Sequence, residues 1–321
     1  MSKVLIQNPK EIIEIDDWRI AEDNKIYPEG SKEKSLYIAP NERIYDFIIP
    51  NHKYLFKLSY SRYPEQFWVE IIAYKLGCLA GVEVPPTFVA IDKGTMRVGA
   101  LVEWFFSYPG YSTELKMSGA NYMQMLISNY DRDKGIQHNL KSIKTLHSFL
   151  KKSFSFNFNW PEYWAKTLAF DALIGNTDRH QDNWGIIWSY KDKKPFPKRM
   201  TPVFDNGTSM GHEILERNFD SFNEPSRLEK YVLKGTHHMK WSLDEDVRIG
   251  HVELIKRFIC EHPEVIDAVK RILYFDEEKL NNAIMELTTF NVYCKLSEKR
   301  ANFIEKLLIY RRNNLIEKLK I

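Results

Sequence analysis

A polar loop set between apolar segments, within residues 170–207, constrains the fold more than any other stretch of this chain. Residues 168–174 are apolar enough to predict the end of a buried helix, and the Gly-Asn pair that follows ends it because both residues tolerate a left-handed backbone. After the loop, residues 184–188 and 202–204 predict two short opposing strands. The sequence therefore predicts a helix, a tight loop and a β-ribbon in succession.

Three polar residues of this stretch have the spacing of a phosphoryl-transfer site. Asn183 follows Asp178 by five residues, so the two can sit at the ends of one tight loop and face a common cleft, and Asp205 comes later in an Asp-Asn-Gly turn. In phosphoryl transfer one Asp orients the attacking hydroxyl, while an Asn and a second Asp hold Mg²⁺ against the phosphates. Asp and Asn also cap turns, but the neighbouring Arg179 and His180 favour the catalytic interpretation.

The ten residues Asn-Thr-Asp-Arg-His-Gln-Asp-Asn-Trp-Gly, at positions 176–185, resemble the catalytic loop of HipA-type serine/threonine kinases, which include short stand-alone members. The segment is similar, more distantly, to the loop of phosphatidylinositol kinases, whereas ordinary protein kinases use the order His-Arg-Asp. The resemblance implies an α+β, two-lobed protein-kinase-like fold, with an antiparallel sheet and a helix in the N-lobe and a mainly helical C-lobe.

The same resemblance assigns roles to the loop and implies ATP and Mg²⁺ as cofactors. Asp178 orients or deprotonates the acceptor hydroxyl, and Asn183 and Asp205 bind the metal. Arg179 either neutralises developing charge or braces the loop, and His180 holds the fold of the loop.

A lysine in an apolar strand predicts the nucleotide-binding ion pair. Residues 44–58 read as two strands around the turn at 50–52, and Lys57 lies within the second. An unpaired buried ammonium group is costly, so Lys57 either reaches solvent at a strand edge or meets a counter-charge. The kinase interpretation supplies the ATP phosphates and Glu70, which lies 13 residues later on a helix that follows Pro64.

A loop with one glycine, small hydroxyl residues and two lysines precedes the first clear strand. By itself this loop is typical of a solvated turn, but its backbone N–H groups could cradle phosphates. HipA-type kinases have a Gly-x-x-x-Lys loop here, so the resemblance assigns Gly30, Ser31, Lys34 and Ser35 to phosphate binding. Ser31 and Ser35 are also the nearest candidates for self-phosphorylation.

The strand pattern predicts a boundary near residue 105. Residues 88–91 and 98–103 read as strands, and the second leads into a hinge, where the backbone of Glu103, Trp104 and Phe105 would contact adenine. Strand-prone runs stop near residue 106, which predicts a nucleotide-binding N-lobe at 1–105 and a C-lobe at 106–321 that holds the catalytic loop and metal site. Segments 219–223 and 230–233 are candidates for substrate binding, and four amphipathic helices follow, at 252–260, 263–272, 277–287 and 297–319.

The net charge, the cysteine content and the apolar runs of the chain indicate which classes of protein it can belong to. The formal net charge of +3 over 321 residues, without a basic stripe, argues against a nucleic-acid binder. Three widely separated cysteines indicate a reducing compartment and no metal-site spacing. No apolar run approaches the ~18 residues of a membrane span, and no signal peptide is recognisable. A cytoplasmic location is expected, although a secreted effector with a non-cleaved signal would look the same.

The sequence thus predicts a HipA-type serine/threonine protein kinase whose substrate is a protein hydroxyl. A role as the toxin of a toxin–antitoxin pair, or as a bacterial effector, follows from the resemblance alone. HipA carries a subdomain ahead of its phosphate loop, and Gly30 comes too early for one, so a separate antitoxin or subdomain-like regulatory protein is the implied partner. A lipid or small-molecule kinase with the same core stays open, as does a non-catalytic pseudokinase. The lack of a basic stripe argues weakly against the lipid kinase, and the presence of all three polar residues argues against the pseudokinase.

Overall fold

The computed structural model describes residues 5–25, 33–111, 113–245 and 247–321. The strands in this part of the chain are β1 (Ile13–Glu14), β2 (Arg19–Ile20), β3 (Lys34–Ile38), β4 (Lys53–Lys57), β5 (Thr87–Asp92), β6 (Arg97–Glu103), β7 (Glu114–Ser118), β8 (Gly185–Lys191) and β9 (Lys194–Met200). The helices are α1 (Phe67–Ala80), α2 (Gly119–Leu126), α3 (Leu140–Phe154), α4 (Trp160–Ile174), α5 (Pro225–Lys234), α6 (His251–Glu261), α7 (Ile266–Leu273), α8 (Glu277–Leu287) and α9 (Glu298–Leu319). These elements confirm the predicted α+β class.

The first sheet has the strand order β1-β5-β6-β4-β3-β2, and its neighbours are antiparallel except for the β1–β5 pair. Successive side chains of a strand point to opposite faces. In β4 this places Tyr54 and Phe56 in an apolar core with Ile13 and Phe88, while Lys57 points to the other face. One face of the sheet is therefore closed by aromatic packing and the other lines a cleft.

Helix α1 joins this sheet to the helices that follow. It begins after Gln66 and ends at Gly81, whose φ of 69° is the left-handed conformation that glycine adopts at low cost. Most of its side chains are buried, and the indole N–H of Trp68 donates to the carbonyl of Cys294 at 3.0 Å. Helix α1, which carries Glu70, contacts the sheet on one side and α8 on the other.

Helix α4 leads directly into the polar loop singled out in the sequence. The side chain of Asn159 caps its first turn, and from Trp164 onward almost every residue of the helix is buried. Gly175 ends it with a φ of 69°. The second sheet, in the order β7-β8-β9, follows the loop, so the loop lies between a buried helix and a three-stranded antiparallel sheet.

The C-terminal helices lie close to the predicted ranges. Ser297 caps α9, with its hydroxyl accepting from the Arg300 N–H at 3.0 Å. A short 3-10 helix at Glu216–Asn223 and helix α5 pack on α9, where Phe219 stacks on Phe303 with ring centroids 4.2 Å apart. Segments 219–223 and 230–233 therefore supply core side chains from Phe219, Phe222 and Val232, while Asp220, Lys230 and Leu233 are exposed. Their part in substrate binding stays a prediction.

Three strand predictions also need correction. Residues 44–49 form turns, in which the Ile48 N–H donates to the carbonyl of Tyr45. Phe47 and Ile48 pack into the core from these turns without joining the sheet. Strand β8 pairs with β7 and with the basic segment β9, and not with residues 202–204. The largely exposed edge strand β9 carries no apolar signal. Strand β7 lies beyond the point where strands were expected to stop.

None of the helices among the described residues has the length and apolarity to cross a membrane.

Candidate active site

A cleft of about 740 Å³ lies between the inner face of the first sheet and the loop after α4. One wall is apolar and the opposite wall is polar. The residues that line it are Lys34, Leu55, Lys57, Tyr60, Ser61, Arg62, Tyr63, Gln66, Val102, Glu103, Trp104, Phe105, Phe106, Lys116, Asp178, His180, Asp182, Asn183, Phe204, Asp205, Thr208 and His212. The cleft thus brings together residues that are far apart in sequence.

Lys57 occupies the centre of the polar wall. It forms an ion pair with Glu70, as the sequence predicted, and a second with Asp205, whose Oδ1 lies 2.7 Å from Nζ. Lys57 and Glu70 are each only 6% exposed. Burial disfavours the ammonium form, but the carboxylates of Asp205 and Glu70 more than offset it and raise the pKa of Lys57. Lys57 is therefore a fixed positive charge in the cleft.

The loop after α4 is shaped by its own hydrogen bonds. The side-chain oxygen of Asn176 accepts from the Asp178 N–H at 2.9 Å, and the side-chain amide of Asn183 donates to the Asp178 carbonyl at 2.8 Å. The Asn183 N–H donates to the carbonyl of His180 at 3.0 Å. These bonds fold residues 178–183 into a tight loop that presents Asp178, His180 and Asn183 to the cleft.

Arg179 points away from the cleft and is fully buried. Its guanidinium binds both carboxylate oxygens of Asp171, at 3.0 and 2.8 Å, and donates to the carbonyls of Asn183 and Phe204 and to the side-chain oxygen of Asn206. Burial opposes ionisation of Asp171, but the Arg179 charge holds the pKa of that carboxyl well below its usual range. The sequence predicts that Arg179 either neutralises developing charge or braces the loop. Because its side chain is buried away from the cleft, Arg179 does not contact a reacting group, and bracing of the loop is the role that the geometry supports.

The Asp-Asn-Gly turn is anchored by Glu70 and Gln66, in addition to the bond that Arg179 donates to Asn206. Asp205 has a φ of 57°, in the left-handed region that Asp tolerates better than most residues. The Asn206 N–H donates to Glu70 Oε2 at 3.1 Å, and Gln66 Nε2 donates to the Gly207 carbonyl at 2.8 Å. Glu70 therefore holds both Lys57 and the turn, which fixes Asp205 relative to the ion pair.

A magnesium ion fits the donor set formed by Asp205 and Asn183. Mg²⁺ is usually bound by one or two carboxylates together with substrate phosphates and water. The Asn183 amide donates through nitrogen, which leaves its oxygen as a ligand atom. The described residues contain no group of three or more His, Cys, Asp or Glu side chains that could hold a metal, so the remaining ligands would come from the phosphates and water.

The predicted phosphate loop is placed only in part. Gly30 and Ser31 lie outside the described residues. Lys34 pairs with Lys57 in the β3–β4 register and lines the cleft. Ser35 pairs with Phe56, on the opposite face of the sheet, so strand alternation turns its side chain away from the cleft. Phosphate binding by the backbone of this loop stays a prediction.

The predicted hinge lines the apolar wall, but its backbone is largely used within the protein. The Trp104 N–H donates to the Lys53 carbonyl at 3.0 Å, and its carbonyl accepts from His52 Nε2 at 2.6 Å. The Phe105 carbonyl accepts from Arg199. The structure therefore contradicts an adenine contact through the Trp104 N–H, which the strand pattern could not reveal because it gives no information on loop hydrogen bonds.

The Glu103 carboxyl group is buried beside this wall. The Tyr108 hydroxyl donates to its Oε1 at 2.7 Å, while Oε2 has no partner. Burial raises the pKa of Glu103 to about 7, although the bond from Tyr108 lowers it. Because Glu103 pairs with Tyr54 in the β4–β6 register, its side chain lies on the core face of the sheet, and its role there is structural.

Sequence reasoning missed several residues of the cleft. The loop before α1 contributes Tyr60, Ser61, Arg62 and Tyr63, and β7 contributes Lys116, whose ammonium group lies 5.0 Å from the ring centroid of Phe204. The one available signal was the polar, aromatic run Tyr-Ser-Arg-Tyr-Pro between the lysine strand and α1. Lys116 had none, because it reaches the cleft only through the pairing of β7 with β8.

Comparison with protein families and curated proteins gives two matches. The family model described as the HipA-like C-terminal domain matches residues 30–258. The serine/threonine-protein kinase CtkA of Helicobacter pylori is 24% identical over 165 residues, which are 48% of this chain and 44% of that protein. The match thus spans less than half the length of the curated relative.

Two solved structures resemble the fold over almost all of the chain. The crystal structure of the H. pylori proinflammatory kinase CtkA superposes with a TM-score of 0.70 at 17% identity, covering 96% of this chain and 97% of that one. A structure of the Shewanella oneidensis toxin–antitoxin system, with HipA, HipB and operator DNA, gives a TM-score of 0.51 at 14% identity, covering 95% and 74%. At these identities the likeness concerns the fold, and it confirms the predicted kinase-like architecture.

Proposed function

Because the chain belongs to the HipA-like C-terminal domain family, we propose that it is an ATP- and Mg²⁺-dependent serine/threonine protein kinase. The proposal rests on one observation. Lys57 Nζ lies 2.7 Å from Asp205 Oδ1, and Asp178 and Asn183 line the same cleft. These four residues come from one sheet, one loop and one turn, and a fold that only needed stability would gain little from gathering them. The curated kinase relative supports the same function.

Each side chain has a role that its position supports. Lys57, held by Glu70, supplies a fixed positive charge to the nucleotide phosphates, and the apolar wall around Phe105 and Phe204 accepts the base. Asp178 takes the proton of the attacking hydroxyl while that oxygen bonds to the γ-phosphorus and the bond to the ADP oxygen breaks. Mg²⁺, held by Asn183 and Asp205, would neutralise charge on the phosphates.

The positioning groups lie behind these residues. Arg179 ties α4, the loop and the Asp-Asn-Gly turn together, so that Asp178 and Asp205 keep a constant separation. Positioning and electrostatic stabilisation account for most of the catalysis of phosphoryl transfer. The proposed boundary between N-lobe and C-lobe stays near residue 105, where the first sheet ends at Glu103.

The experiment that tests the function is intact-mass analysis after incubation with ATP and Mg²⁺, with a mixture of serine- and threonine-containing peptides present. The parent protein should add phosphoryl groups to itself or to the peptides, and the isosteric variants Asp178→Asn and Asp205→Asn should not. Electrostatic groups of this kind contribute roughly 3–4 kcal/mol to the barrier. Equal transfer by the parent and both variants would overturn the proposal.

A regulatory partner and a toxin role extend this proposal. Their support is the fold likeness to HipA, which was solved with HipB, and the prediction of a cytoplasmic toxin with a separate antitoxin is kept on that ground. Growth arrest on expression that Asp178→Asn abolishes would support the toxin role. Recovery of the chain alone on native purification from its source would contradict the partner.

A further inference from the structure

A second cavity, of about 170 Å³, lies apart from the cleft, among helices α4, α5, α6 and α9. Apolar walls are supplied by Ala172, Val232 and Leu315. Its polar part is formed by Gly250, His251 and Glu253 at the start of α6, and by Arg311 and Asn314 of α9. None of these residues belongs to the proposed catalytic machinery.

Two side chains of this cavity are more than nine-tenths buried and incompletely hydrogen-bonded. His251 is 6% exposed and neither ring nitrogen has a partner, and Arg311 is 5% exposed with Nε unpartnered. Buried polar groups normally have partners, and each exception calls for an explanation such as a bound water or ion. Arg311 forms no ion pair with any described residue. Within the protein its guanidinium has a hydrogen bond with the Tyr231 side chain and is attracted by the Glu213 carboxylate, which leaves Nε without a partner.

The start of α6 adds donors to the same cavity. Gly250 is the N-cap residue, with extended backbone and no side chain to cap the helix. The first N–H groups of a helix have no partner within the helix and carry a partial positive charge, which makes them an anion site. Glu253 is the one acid on the lining, but its carboxylate accepts from Arg257 at 2.8 Å. The α5 end presents a carbonyl, that of Val232, which already accepts from the Gly235 N–H.

We propose that this cavity binds a small oxyanion, a phosphate or carboxylate group, between the Arg311 guanidinium, the His251 ring and the first turn of α6. Its volume suits a group of that size and excludes a nucleotide. A buried guanidinium without a carboxylate partner is costly, and an oxyanion satisfies it in the planar, forked geometry that arginine favours.

The bound anion would lie next to elements that shape the catalytic loop. The Arg311 guanidinium packs on Gly175, at the end of α4, so closely that a Cβ there would lie 2.5 Å from Cζ. The His251 ring is 5.6 Å from that of His237, which in turn hydrogen-bonds Asp171 at 3.1 Å. The binding proposal itself does not depend on kinase activity.

Thermal unfolding titrated with inorganic phosphate, and separately with acetate, at constant ionic strength tests the proposal. Ligands that bind the folded state raise the unfolding temperature with concentration, which yields an apparent Kd for each anion. Arg311→Met should weaken binding at least tenfold, and Glu253→Gln, on the exposed rim, should tighten it severalfold. Lys57→Met controls for phosphate in the cleft and should leave the Kd unchanged.

The two anions identify the chemical class of the ligand. Stabilisation by phosphate alone indicates that the cavity binds a phosphate group, and stabilisation by both anions indicates that it binds any small oxyanion. If Arg311→Met does not fold, His251→Phe, which keeps the ring volume, replaces it together with Glu253→Gln. Absence of stabilisation by either anion would overturn the proposal. So would a Kd that neither Glu253→Gln nor the buried-site variant changes.

Discussion

Single residues around the cleft divide into those that face it and those that hold it. Arg179 belongs to the second group although it lies in the middle of the loop that resembles a kinase catalytic loop. It has no exposed surface, and its donors reach α4, the carbonyl of Asn183 in the loop and the Asp-Asn-Gly turn. Its contribution is therefore to the geometry of the site and to the stability of the fold at the same time.

Replacing Arg179 should show both contributions. Lysine keeps the charge but not the planar fork, so we expect Arg179→Lys to lower the free energy of unfolding by about 3–5 kcal/mol, as when a buried pair is broken. Urea unfolding followed by tryptophan fluorescence measures it. Arg97→Lys, whose partner Glu33 is exposed, is the control and should change stability by about 1 kcal/mol or less. Equal losses in the two variants would contradict the bracing role.

Glu103 predicts a pH dependence of stability. Its pKa is about 7 in the folded protein against 4.5 for the free group, so the folded state holds the proton more tightly. Glu103 therefore contributes to the free energy of unfolding below pH 4.5, and this contribution is lost as the pH rises through 7. Glu103→Gln keeps the bond from Tyr108 and should match the parent below pH 4.5, while above pH 7 it should be more stable by up to about 3 kcal/mol. A stability difference that is constant from pH 4 to 8 would contradict this explanation.

At the scale of elements, the position of the polar loop depends on how α4 ends. Gly175 ends the helix in a left-handed conformation, and the Arg311 guanidinium of α9 covers it. Gly81 ends α1 with the same φ of 69°, but nothing lies within 4 Å of the position of a Cβ there. The chain thus offers two helix ends of equal backbone geometry and different packing.

We expect Gly81→Ala to destabilise the protein by about 1 kcal/mol, the cost of a left-handed backbone for an L-residue. Gly175→Ala should cost the same amount and a further 1–3 kcal/mol or so, because its Cβ overlaps the guanidinium. Urea unfolding of the two variants gives the difference directly. If the variants are equally stable, α9 does not constrain the end of α4 as described.

At the scale of the whole molecule, the cleft closes over contacts between distant parts of the chain. The Lys57–Asp205 pair spans 148 residues and joins the first sheet to the turn after the second. Glu70 contacts the same turn from α1, through the Asn206 N–H at 3.1 Å. Ligands that bind both sides of the cleft should therefore stabilise the whole fold.

A non-hydrolysable ATP analogue should raise the unfolding temperature more in the presence of Mg²⁺ than in its absence. At a ligand concentration of 100 times Kd, the gain in stability is about 2.7 kcal/mol. Asp205→Asn should remove the Mg²⁺-dependent part of the shift, whereas Asp178→Asn should keep it because Asp178 is assigned to the acceptor hydroxyl. A shift that Mg²⁺ does not affect in the parent would contradict the metal assignment.

The sequence by itself determined the local order of the chain and the family to which it belongs. The run from α4 through the tight loop follows from apolar periodicity, a left-handed glycine and a spaced Asp–Asn pair, all of which act over a few residues. The Lys57–Glu70 pair was also predictable, since a lysine within an apolar strand needs a partner. Helix caps such as Ser297 depend on neighbouring residues in the same way.

Only the tertiary structure decided which groups share the cleft and which are buried. The side of the sheet taken by Ser35, the pairing of the basic β9 with β8, and the burial of Arg179 depend on contacts between segments remote in sequence. The same holds for the packing of Phe219 and Phe222 on α9, in a stretch that reads as polar. Pairing register and burial arise from non-local contacts, which leave no pattern within a local window, and this is why these features could not be predicted.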